Sequence, residues 1–384
     1  MEFSTLGELS IGGKGNYGIA ASAVSYSNEL YTYLRITDIT NDGRIDFSGL
    51  KSVDDVNAEK YLLKPNDIVF ARTGGSTGRN YFYDGHDGKF VYAGFLIKFS
   101  INPQKVNPKF IKYYCQSKEY KDWVNSYNTG STRGNINAQT YATMPIPLLS
   151  RKKQDGIVTI LETIDEKIKE NTRINENLEQ QAKTIFKSWF IEFEPFGNQK
   201  PRGWSVSTLG NVSIIGAGGD KPQTVSQIKN NLCRYPVYSN GLNNEGLYGF
   251  TDKPKIFEES VTVSARGTIG FVCLRHIPYV PIVRLVTLIP KAENISAKYL
   301  YLWLKQIHIV GTGTTQQQLT VPDFRKTEIL VPTQEIMTLF TATIEPIFEK
   351  IWANQRENEK LSSLRDTLLP KLVSGEIDVS NINL

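Results

Sequence analysis

The chain has 384 residues, 40% of them hydrophobic and 22% charged, and its formal net charge at pH 7 is +5. This length suits two or three domains, and the composition is that of a globular protein rather than a disordered one. No apolar run approaches 18 residues, so no transmembrane helix is predicted, and the N-terminus lacks the pattern of a signal peptide. Three widely spaced cysteines predict neither a disulfide framework nor a cysteine-based zinc site, and they fit a reducing cytoplasm.

Residues 1–150 form the first block, for which we predict a mixed α/β domain. Short β-rich runs alternate with turns rich in Gly, Asn and Asp, and the clearest strands are Asp67–Ala71 and Phe90–Phe99. One helix is predicted at Pro108–Ser117. The order of the strands does not follow from this pattern.

Residues 151–194 show the strongest periodicity in the chain. From Ile157 to Trp189, apolar residues and two asparagines follow a strict 4-3-4-3 spacing. This spacing predicts a coiled-coil seam of about five heptads on a helix roughly 50 Å long. A link rich in Pro and Gly, Pro195–Trp204, closes the helix.

Residues 195–332 form a second mixed block. Strands are predicted at Ser260–Ser264 and Leu285–Ile289, and a helix at Ala297–Gln306. The block has 15 basic and 8 acidic residues, net +7, whereas the first block has 16 and 14, net +2. Such a surplus suits a surface that faces phosphates, and ordinary solvated charge is the alternative.

Residues 333–384 repeat the heptad pattern, from Met337 to Leu361 and loosely on to Leu372. Pro346 falls inside this second predicted helix, so we expect a kink there or the separation of the first turns. The helix is expected to end near Pro370, with Gly375 beyond it.

Short motifs indicate that the two blocks are copies of one fold. Four motifs recur in order: Thr5–Leu9 as Thr208–Val212, Asp67–Gly74 as Val261–Thr268, Asn107–Ile111 as Ile295–Leu300, and Met144–Pro147 as Ile329–Pro332. Two copies are too few for a solenoid. The sequence therefore predicts an α+β protein with two similar mixed α/β domains, separated by two long antiparallel coiled-coil helices and related by a pseudo-twofold axis.

Each predicted seam contains two asparagines spaced four residues apart. Antiparallel pairing about a pseudo-twofold axis would bring Asn171 and Asn175 to Asn358 and Asn354, respectively. Buried asparagine lowers stability but fixes the register and orientation of a coiled coil. Our hypothesis is that the four form one polar layer, and the alternative is that they face solvent.

The motifs of several enzyme classes are absent from the sequence. It has no Pro-Pro loop for a flipped base, no Gly-x4-Gly-Lys-[Ser/Thr] loop, and no histidines at metal-ligand spacing. Gly13–Gly18 matches G-x-G-x-x-G, but no strand–turn–helix unit surrounds it. Asp165-Glu166-Lys167 resembles part of a nuclease site, yet it lies on a predicted helix where ion pairs are the simpler interpretation. We therefore predict a binding protein without catalytic residues or a metal site.

Both blocks contain polar, Gly-rich segments with the residue types that bind DNA. Glycine lets the backbone approach phosphates, Arg can pair with guanine, and Gln or Asn can pair with adenine. Ordinary surface turns are the alternative, and Tyr17, Tyr81 and Tyr248 are further candidates to pack on sugars or bases. The candidate DNA-binding residues of the first block are Lys14, Asn16, Tyr17, Arg72, Thr73, Ser76, Thr77, Arg79, Ser131, Thr132 and Arg133. Those of the second block are Lys221, Asn240, Arg266, Thr268, Thr314, Thr315, Gln316 and Gln317.

Over essentially its whole length, this arrangement resembles the specificity subunit of type I restriction–modification systems. The resemblance is carried by Met144–Leu149 with Gln154, by Leu178–Gln181 and Trp189-Phe190, and by their counterparts Ile329–Gln334 and Leu361–Leu369. The final run, Pro370–Ile377, is rather specific to that family. Arg151-Lys152-Lys153 departs from it, because members often have apolar or Pro residues at this joint.

The resemblance implies a division of labour along the chain. Residues 1–150 and 195–332 would be target-recognition domains, each reading one half of a bipartite, asymmetric DNA site. Residues 151–194 would form a central spacer helix, and residues 333–384 a distal spacer helix and C-terminal tail. The two helices would then act as a ruler between the domains.

The resemblance also implies partners and cofactors. Double-stranded DNA, two methylation subunits and restriction subunits would be the partners, in the cytoplasm of a prokaryote. The partner subunits would bind S-adenosylmethionine, ATP and Mg and would methylate adenine, whereas this chain would bind no cofactor and carry no catalysis.

Two other functions remain open. One is a protein-binding adaptor with two domains on a coiled-coil rod, which would bind partners regardless of DNA and salt. The other is a divergent DNA methyltransferase or nuclease, which methyl transfer by this chain alone would establish.

Overall fold

A computed structural model of the protein describes residues 2–127, 134–309 and 319–379. The chain divides into two compact units, which we call unit 1 (Met1–Glu170 with Glu357–Leu384) and unit 2 (Asn171–Arg356). The long helices are thus shared between the units, because each stretch of helix packs on the globular block beside it. Two sheet-rich blocks with two long helices confirm the mixed α/β class predicted from the sequence.

Unit 1 is built from short strands and helices in its first 150 residues. Its elements are β1 (Phe3–Thr5), β2 (Asn16–Tyr17), β3 (Ala23–Val24), β4 (Tyr31–Leu34), β5 (Lys51–Val53), β6 (Asp67–Ala71), β7 (Asn80–Tyr83), β8 (Phe90–Tyr92), β9 (Leu96–Ser100), α1 (Pro108–Tyr114), α2 (Lys118–Ser126), α3 (Ala138–Ala142) and β10 (Pro145–Pro147). They are followed by the long helix α4 (Arg151–Phe190), which enters unit 1 at its N-terminal end.

The strands of unit 1 form three sheets. β1 pairs with β10, and two four-stranded sheets have the orders β2-β9-β6-β7 and β3-β5-β4-β8. The predicted strand Asp67–Ala71 is β6, whose five residues are all buried, as its continuous apolar run predicts. The prediction of one strand at Phe90–Phe99 is wrong. This run contains β8 and β9, which belong to different sheets and are joined by a turn at residues 93–95.

Unit 2 begins in the second half of α4 and continues into the second block. Its further elements are β11 (Ser205–Thr208), α5 (Leu209–Val212), β12 (Ser213–Ala217), β13 (Tyr235–Tyr238), β14 (Leu247–Thr251), β15 (Ser260–Val263), β16 (Val272–Arg275), β17 (Val280–Pro281), β18 (Val286–Pro290), α6 (Ala297–Gln306), α7 (Val321–Phe324), β19 (Glu328–Val331) and the long helix α8 (Gln334–Val373).

The sheets of unit 2 repeat those of unit 1. β11 pairs with β19, a four-stranded sheet has the order β12-β18-β15-β16, and a smaller sheet has the order β14-β13-β17. The β3-β5-β4-β8 sheet of unit 1 and the β14-β13-β17 sheet of unit 2 each contain one parallel pair, β4 with β8 and β13 with β17. This shared topology confirms the prediction of two similar domains.

At β6 and β15, the hydrogen bonds give an alignment of the two units that differs by one residue from the alignment of the sequence motifs. The amide of Ile136 donates to the carbonyl of Arg72, and the amide of Leu319 donates in the same way to the carbonyl of Ala265. Arg72 therefore corresponds to Ala265, and not to Arg266 as the Ala-Arg dipeptides suggested. The two arginines follow equivalent strands at different positions.

The second long helix differs from its prediction at both prolines. α8 runs without interruption from Gln334 to Val373, so Pro346 does not split off the first turns. Phe340, Ile344 and Phe348 are buried in the core of unit 2, and this packing offsets the one backbone hydrogen bond that a proline removes. The helix also extends three residues past Pro370.

In unit 1, the two long helices run antiparallel and are joined by an ion-pair network. Asp165 on α4 accepts hydrogen bonds from Arg365 on α8 and from the Tyr113 hydroxyl, each at 2.9 Å. Burial and the nearby Asp165 carboxylate raise the pKa of Tyr113. Lys167 pairs with Glu357 at 3.8 Å. The Asp165–Lys167 segment is therefore a structural ion-pair face.

In unit 2, the antiparallel helices share an aromatic cluster and an asparagine pair. Phe186 of α4 packs against Phe340 of α8, with ring centroids 6.1 Å apart. The Asn354 side chain, 1% exposed, donates to the Asn175 Oδ1 at 2.8 Å, and Asn175 donates to the Ile351 carbonyl at 3.2 Å. Two of the four asparagines of the proposed layer thus pair directly, and the complete layer remains a prediction.

Gly18 and Gly218 occupy equivalent positions. Gly18 directly follows β2 in unit 1, and Gly218 directly follows β12 in unit 2. A Cβ on Gly18 would lie 2.3 Å from the carbonyl oxygens of Tyr92 and Ala93. A Cβ on Gly218 would lie 2.8 Å from the backbone of the corresponding residues of unit 2. Only glycine lets the two backbones approach this closely.

We predict that Gly18→Ala destabilises unit 1 by about 1–3 kcal/mol, because the added methyl group meets backbone that has no room to move. The control is Gly49→Ala, since a Cβ there meets nothing within 4 Å. Urea unfolding of the intact chain measures both effects. Equal stability of the two variants would contradict the close approach.

A double-mutant cycle tests the asparagine pair. Asn354→Leu should lower the free energy of unfolding by about 1–3 kcal/mol, because it leaves the Asn175 Oδ1 without its hydrogen-bond donor. The double variant Asn175→Leu/Asn354→Leu should be more stable than either single variant, because both polar groups are then replaced. Urea unfolding of the four proteins measures this coupling. Strictly additive losses would show that the pair does not interact.

Candidate nucleic-acid interface

In unit 1, an arginine and a tyrosine lie together at the end of the four-stranded sheet. Tyr17 ends β2 and is 43% exposed, and Arg72 follows β6. The Arg72 guanidinium lies 5.0 Å from the centre of the Tyr17 ring, and the Tyr17 hydroxyl accepts a hydrogen bond from the Ala138 amide at 3.2 Å. Among the described residues, the buried Nε of Arg72 has no hydrogen-bond partner. This pair joins a cation to an aromatic face at an exposed position.

The backbone around this pair brings a third side chain to the same place. The amide of Arg72 donates to the carbonyl of Phe95 at 3.1 Å, and the amide of Gly18 donates to Leu96 at 3.1 Å. Phe95 lies in the turn between β8 and β9 and is 59% exposed. We call Tyr17, Arg72 and Phe95 the unit 1 strand-end surface.

The other candidates of the first block divide into exposed and enclosed residues. Lys14 and Asn16 are exposed beside Tyr17, and Thr73 is half-buried beside Arg72. Gly13–Gly18 leads into β2 rather than into a helix, so the dinucleotide-binding geometry is absent from this segment.

Three predicted residues after β6 serve the loop itself. Ser76 is buried, and the Thr77 hydroxyl donates toward the carbonyls of Gly74 and Gly134, at 2.8 and 2.9 Å. Arg79 is half-buried and donates to the Ile39 carbonyl at 2.9 Å. These contacts hold the loop in place and direct the three side chains inward.

Several candidates do not reach the surface or lie outside the described residues. Tyr81 is buried and donates its hydroxyl to Asp87, so it does not present its ring to a ligand. The candidates Ser131, Thr132, Arg133, Thr314, Thr315, Gln316 and Gln317 lie outside the described residues and stay predictions.

Unit 2 presents a different set of side chains at the equivalent strand ends. Arg266 and Thr268 are exposed after β15. Arg284, which the sequence analysis missed, is exposed in the turn between β17 and β18, and its amide donates to the Gly218 carbonyl at 3.0 Å. We call Arg266, Thr268 and Arg284 the unit 2 strand-end surface.

Asn240 connects the two loops of the unit 2 strand-end surface. Its Nδ2 donates to the Val283 carbonyl at 2.6 Å, and its Oδ1 accepts from the Ala265 amide at 2.8 Å. Asn240 was predicted to contact DNA, whereas here both ends of its amide bind the protein backbone. Lys221 lies four residues after the end of β12 and is exposed. Its ammonium is 5.7 Å from the centre of the Tyr248 ring.

Part of the positive charge of unit 2 is neutralised inside the protein. Arg275 is only 4% exposed; it binds the Glu245 carboxylate at 3.0 Å and lies 3.6 Å from the centre of the Tyr238 ring. Burial raises the pKa of the Tyr238 phenol. These groups brace the sheets, so Arg275 is not available to a ligand.

A second buried cation joins the block to α8. Lys298 pairs with Glu259 at 2.7 Å and with Glu345 at 3.0 Å. His276 stacks on Trp352 with ring centroids 4.1 Å apart, and burial lowers the pKa of this histidine to about 4. At neutral pH, His276 is therefore an uncharged packing group.

Within residues 2–127, 134–309 and 319–379, no group of three or more His, Cys, Asp or Glu side chains is arranged to hold a metal ion. In the same ranges, no helix is both long and apolar enough to span a bilayer.

This chain is similar in sequence and in fold to known proteins. A sequence profile described as "Type I restriction modification DNA specificity domain" matches residues 1–180 and 201–363. The MjaIX specificity subunit of Methanocaldococcus jannaschii is 27% identical over 308 residues, covering 71% of this chain and 70% of its own length. The HindI specificity subunit of Haemophilus influenzae is 24% identical, with 83% and 88% covered.

A solved structure shows the same fold. The type I restriction–modification S subunit from M. genitalium superimposes with a TM-score of 0.53 at 18% identity, covering 97% of this chain and 95% of that one. The profile spans both repeats and most of both long helices. The chain therefore belongs to the type I restriction–modification DNA specificity family.

Proposed function

We propose that this chain is the DNA-recognition subunit of a type I restriction–modification complex and that each unit reads one half of a bipartite, asymmetric site. The observation that carries the proposal is the pair of strand-end surfaces. They lie on the same sheet topology but carry different side chains: the exposed Tyr17 and Phe95 with the half-buried Arg72 in unit 1, and the exposed Arg266, Thr268 and Arg284 in unit 2. Equivalent frames with different contact groups suit two half-sites of different sequence.

The chemistry of these surfaces favours nucleic acid over a protein partner. Arginine offers a planar fork of donors that matches phosphates and the guanine edge, and exposed aromatic rings can pack on bases or sugars. A protein-binding adaptor would instead need a contiguous apolar patch. Binding that weakens steeply with salt supports DNA, and binding indifferent to salt and DNA supports the adaptor.

In this proposal, the catalytic work belongs to partner subunits. Two methylation subunits would bind S-adenosylmethionine and methylate adenine, and restriction subunits would use ATP and Mg, in a prokaryotic cytoplasm. The relatives are named as specificity subunits of restriction enzymes, which supports a recognition role for this chain. Methyl transfer by the isolated chain would support the alternative of a divergent methyltransferase.

The deciding experiment compares adenine methylation across the host genome with and without this gene. We expect a split, asymmetric methylated motif that disappears on deletion and returns when the gene is restored. If the methylation pattern does not change, the chain should be purified from its host. Co-purifying methylation subunits that methylate no split motif in vitro would contradict the proposed function.

Each unit should control one half of the motif. Arg72→Ala should relax the half-site read by unit 1, and Arg266→Ala the half-site read by unit 2, each by roughly 5- to 150-fold in discrimination, the range of one specific base contact. The matched control is Lys60→Ala, an exposed cation that precedes β6, whereas Arg72 follows it. Methylation motifs from complemented cells provide the measurement. Equal relaxation of both half-sites by either variant would contradict this assignment.

A further inference from the structure

The turn between β8 and β9 in unit 1 and the turn between β17 and β18 in unit 2 share one hydrogen bond but differ in backbone conformation, because Val283 and Arg284 have positive φ values whereas Gly94 and Phe95 do not. In each, the amide of the leucine that closes the turn donates to the carbonyl three residues earlier: Leu96, the first residue of β9, at 2.8 Å in unit 1, and Leu285, the residue before β18, at 3.0 Å in unit 2. The residue before that leucine is Phe95 in unit 1 and Arg284 in unit 2. The equivalent chain position thus carries an exposed aromatic ring in one unit and an exposed cation in the other.

Phe95 is an exposed ring on a fixed backbone. Its carbonyl accepts from the Arg72 amide at 3.1 Å, and Arg72 in turn covers the Tyr17 ring. Single exposed apolar residues are common on proteins. Phe95 differs from such isolated residues because its backbone is hydrogen-bonded to Arg72, which covers the Tyr17 ring. The backbone of Phe95 is therefore fixed beside the other two residues of the unit 1 strand-end surface.

Arg284 lies on strained backbone. Val283 and Arg284 have φ values of 51° and 62°, a left-handed conformation that costs on the order of 1–3 kcal/mol per non-glycine residue. The strain is held by three hydrogen bonds: the amides of Val283 and Arg284 donate to Gly219 and Gly218, and Asn240 donates to the Val283 carbonyl. Backbone strain of this kind persists only where the surroundings impose it.

The side chain that this strained turn presents is available for a ligand. Arg284 is exposed, and among the described residues its guanidinium has no hydrogen bond or ion pair. Lys255 is exposed nearby, with its ammonium 3.6 Å from the Cβ position of Gly219. A guanidinium with all its donors available, next to a second cation, matches an electronegative ligand edge.

We propose that this turn is a specificity-determining element of both units, with Arg284 reading a guanine and Phe95 contacting the methyl group of a thymine in the major groove. The assignment follows from chemistry: a guanidinium fork matches the O6 and N7 acceptors of guanine, and an exposed phenyl ring matches the 5-methyl group of thymine. The inference rests on the proposed function and extends it to individual base pairs.

The test uses the complex of this chain with its methylation subunits and a randomised duplex library methylated with S-adenosylmethionine. Arg284→Lys keeps the charge but loses the fork, so it should reduce the preference for G at one position of the unit 2 half-site by roughly 5- to 150-fold. Phe95→Ala should reduce the preference for T at one position of the unit 1 half-site. All other positions of the motif should be unchanged.

Controls separate base recognition from phosphate contact and from loss of folding. Arg234→Lys alters another exposed arginine of unit 2, one that donates to the Asn231 carbonyl, and should leave the motif intact. Both test side chains are exposed, so their variants should keep the wild-type melting temperature. A phosphate contact would instead be revealed if Arg284→Ala lowered affinity evenly across sequences while Arg284→Lys was harmless, and this result would overturn the inference.

The outcomes also distinguish this inference from the function on which it rests. If the wild-type complex methylates a split motif but Arg284→Lys and Phe95→Ala leave both half-sites unchanged, the inference is wrong and the proposed function stands. If the wild-type complex methylates no split motif, the proposed function fails and the inference fails with it.

Discussion

The close approach of two backbones at Gly18, repeated at Gly218, is the constraint on which the rest of each unit depends. It allows β2 in unit 1 and β12 in unit 2 to end directly against a turn, the one between β8 and β9 or between β17 and β18, that connects two sheets. The glycine amide then donates to the carbonyl of the leucine at the end of that turn, Leu96 at 3.1 Å in unit 1 and Leu285 at 2.8 Å in unit 2. A side chain at this point would separate strand and turn, and the exposed residues on both would lose their common surface.

Charge alone does not identify the candidate interface, because the protein uses several cations internally. Arg275 braces the sheets of unit 2 through Glu245 and Tyr238, and Lys298 joins that block to α8 through Glu259 and Glu345. Removing one partner from such a buried pair costs stability, since the other charge is then left unpaired. The cations at the strand ends differ in position, since Arg266 and Arg284 are exposed whereas Arg275 and Lys298 are buried.

The elements with strong local signals were predictable, whereas the site depended on tertiary contacts. β6 and α6 have the bounds that their apolar runs and helix cap predict, and the heptads revealed both long helices. The turn at Phe95 was missed because Phe90–Phe99 is apolar except for Gly94 and Lys98, so it was interpreted as one strand, although β8 and β9 join different sheets. Ser76 and Thr77 have DNA-binding residue types, yet their loop needs those side chains for itself. A glycine inside an apolar run, Gly94, was the signal that could have revealed the turn.

In each unit, the turn that carries Phe95 or Arg284 is held by groups other than that exposed side chain. In unit 1 the frame consists of backbone hydrogen bonds around Phe95, and in unit 2 it consists of backbone bonds with one added amide, Asn240. No bond of this frame uses the side chain at the Phe95 or Arg284 position. That side chain can therefore change without loss of the fold, since substitutions at exposed positions usually alter stability by less than about 0.5 kcal/mol. Under the proposed function, recognition and stability would then rest on different atoms of the same turn, which would leave each unit free to acquire its own base preference.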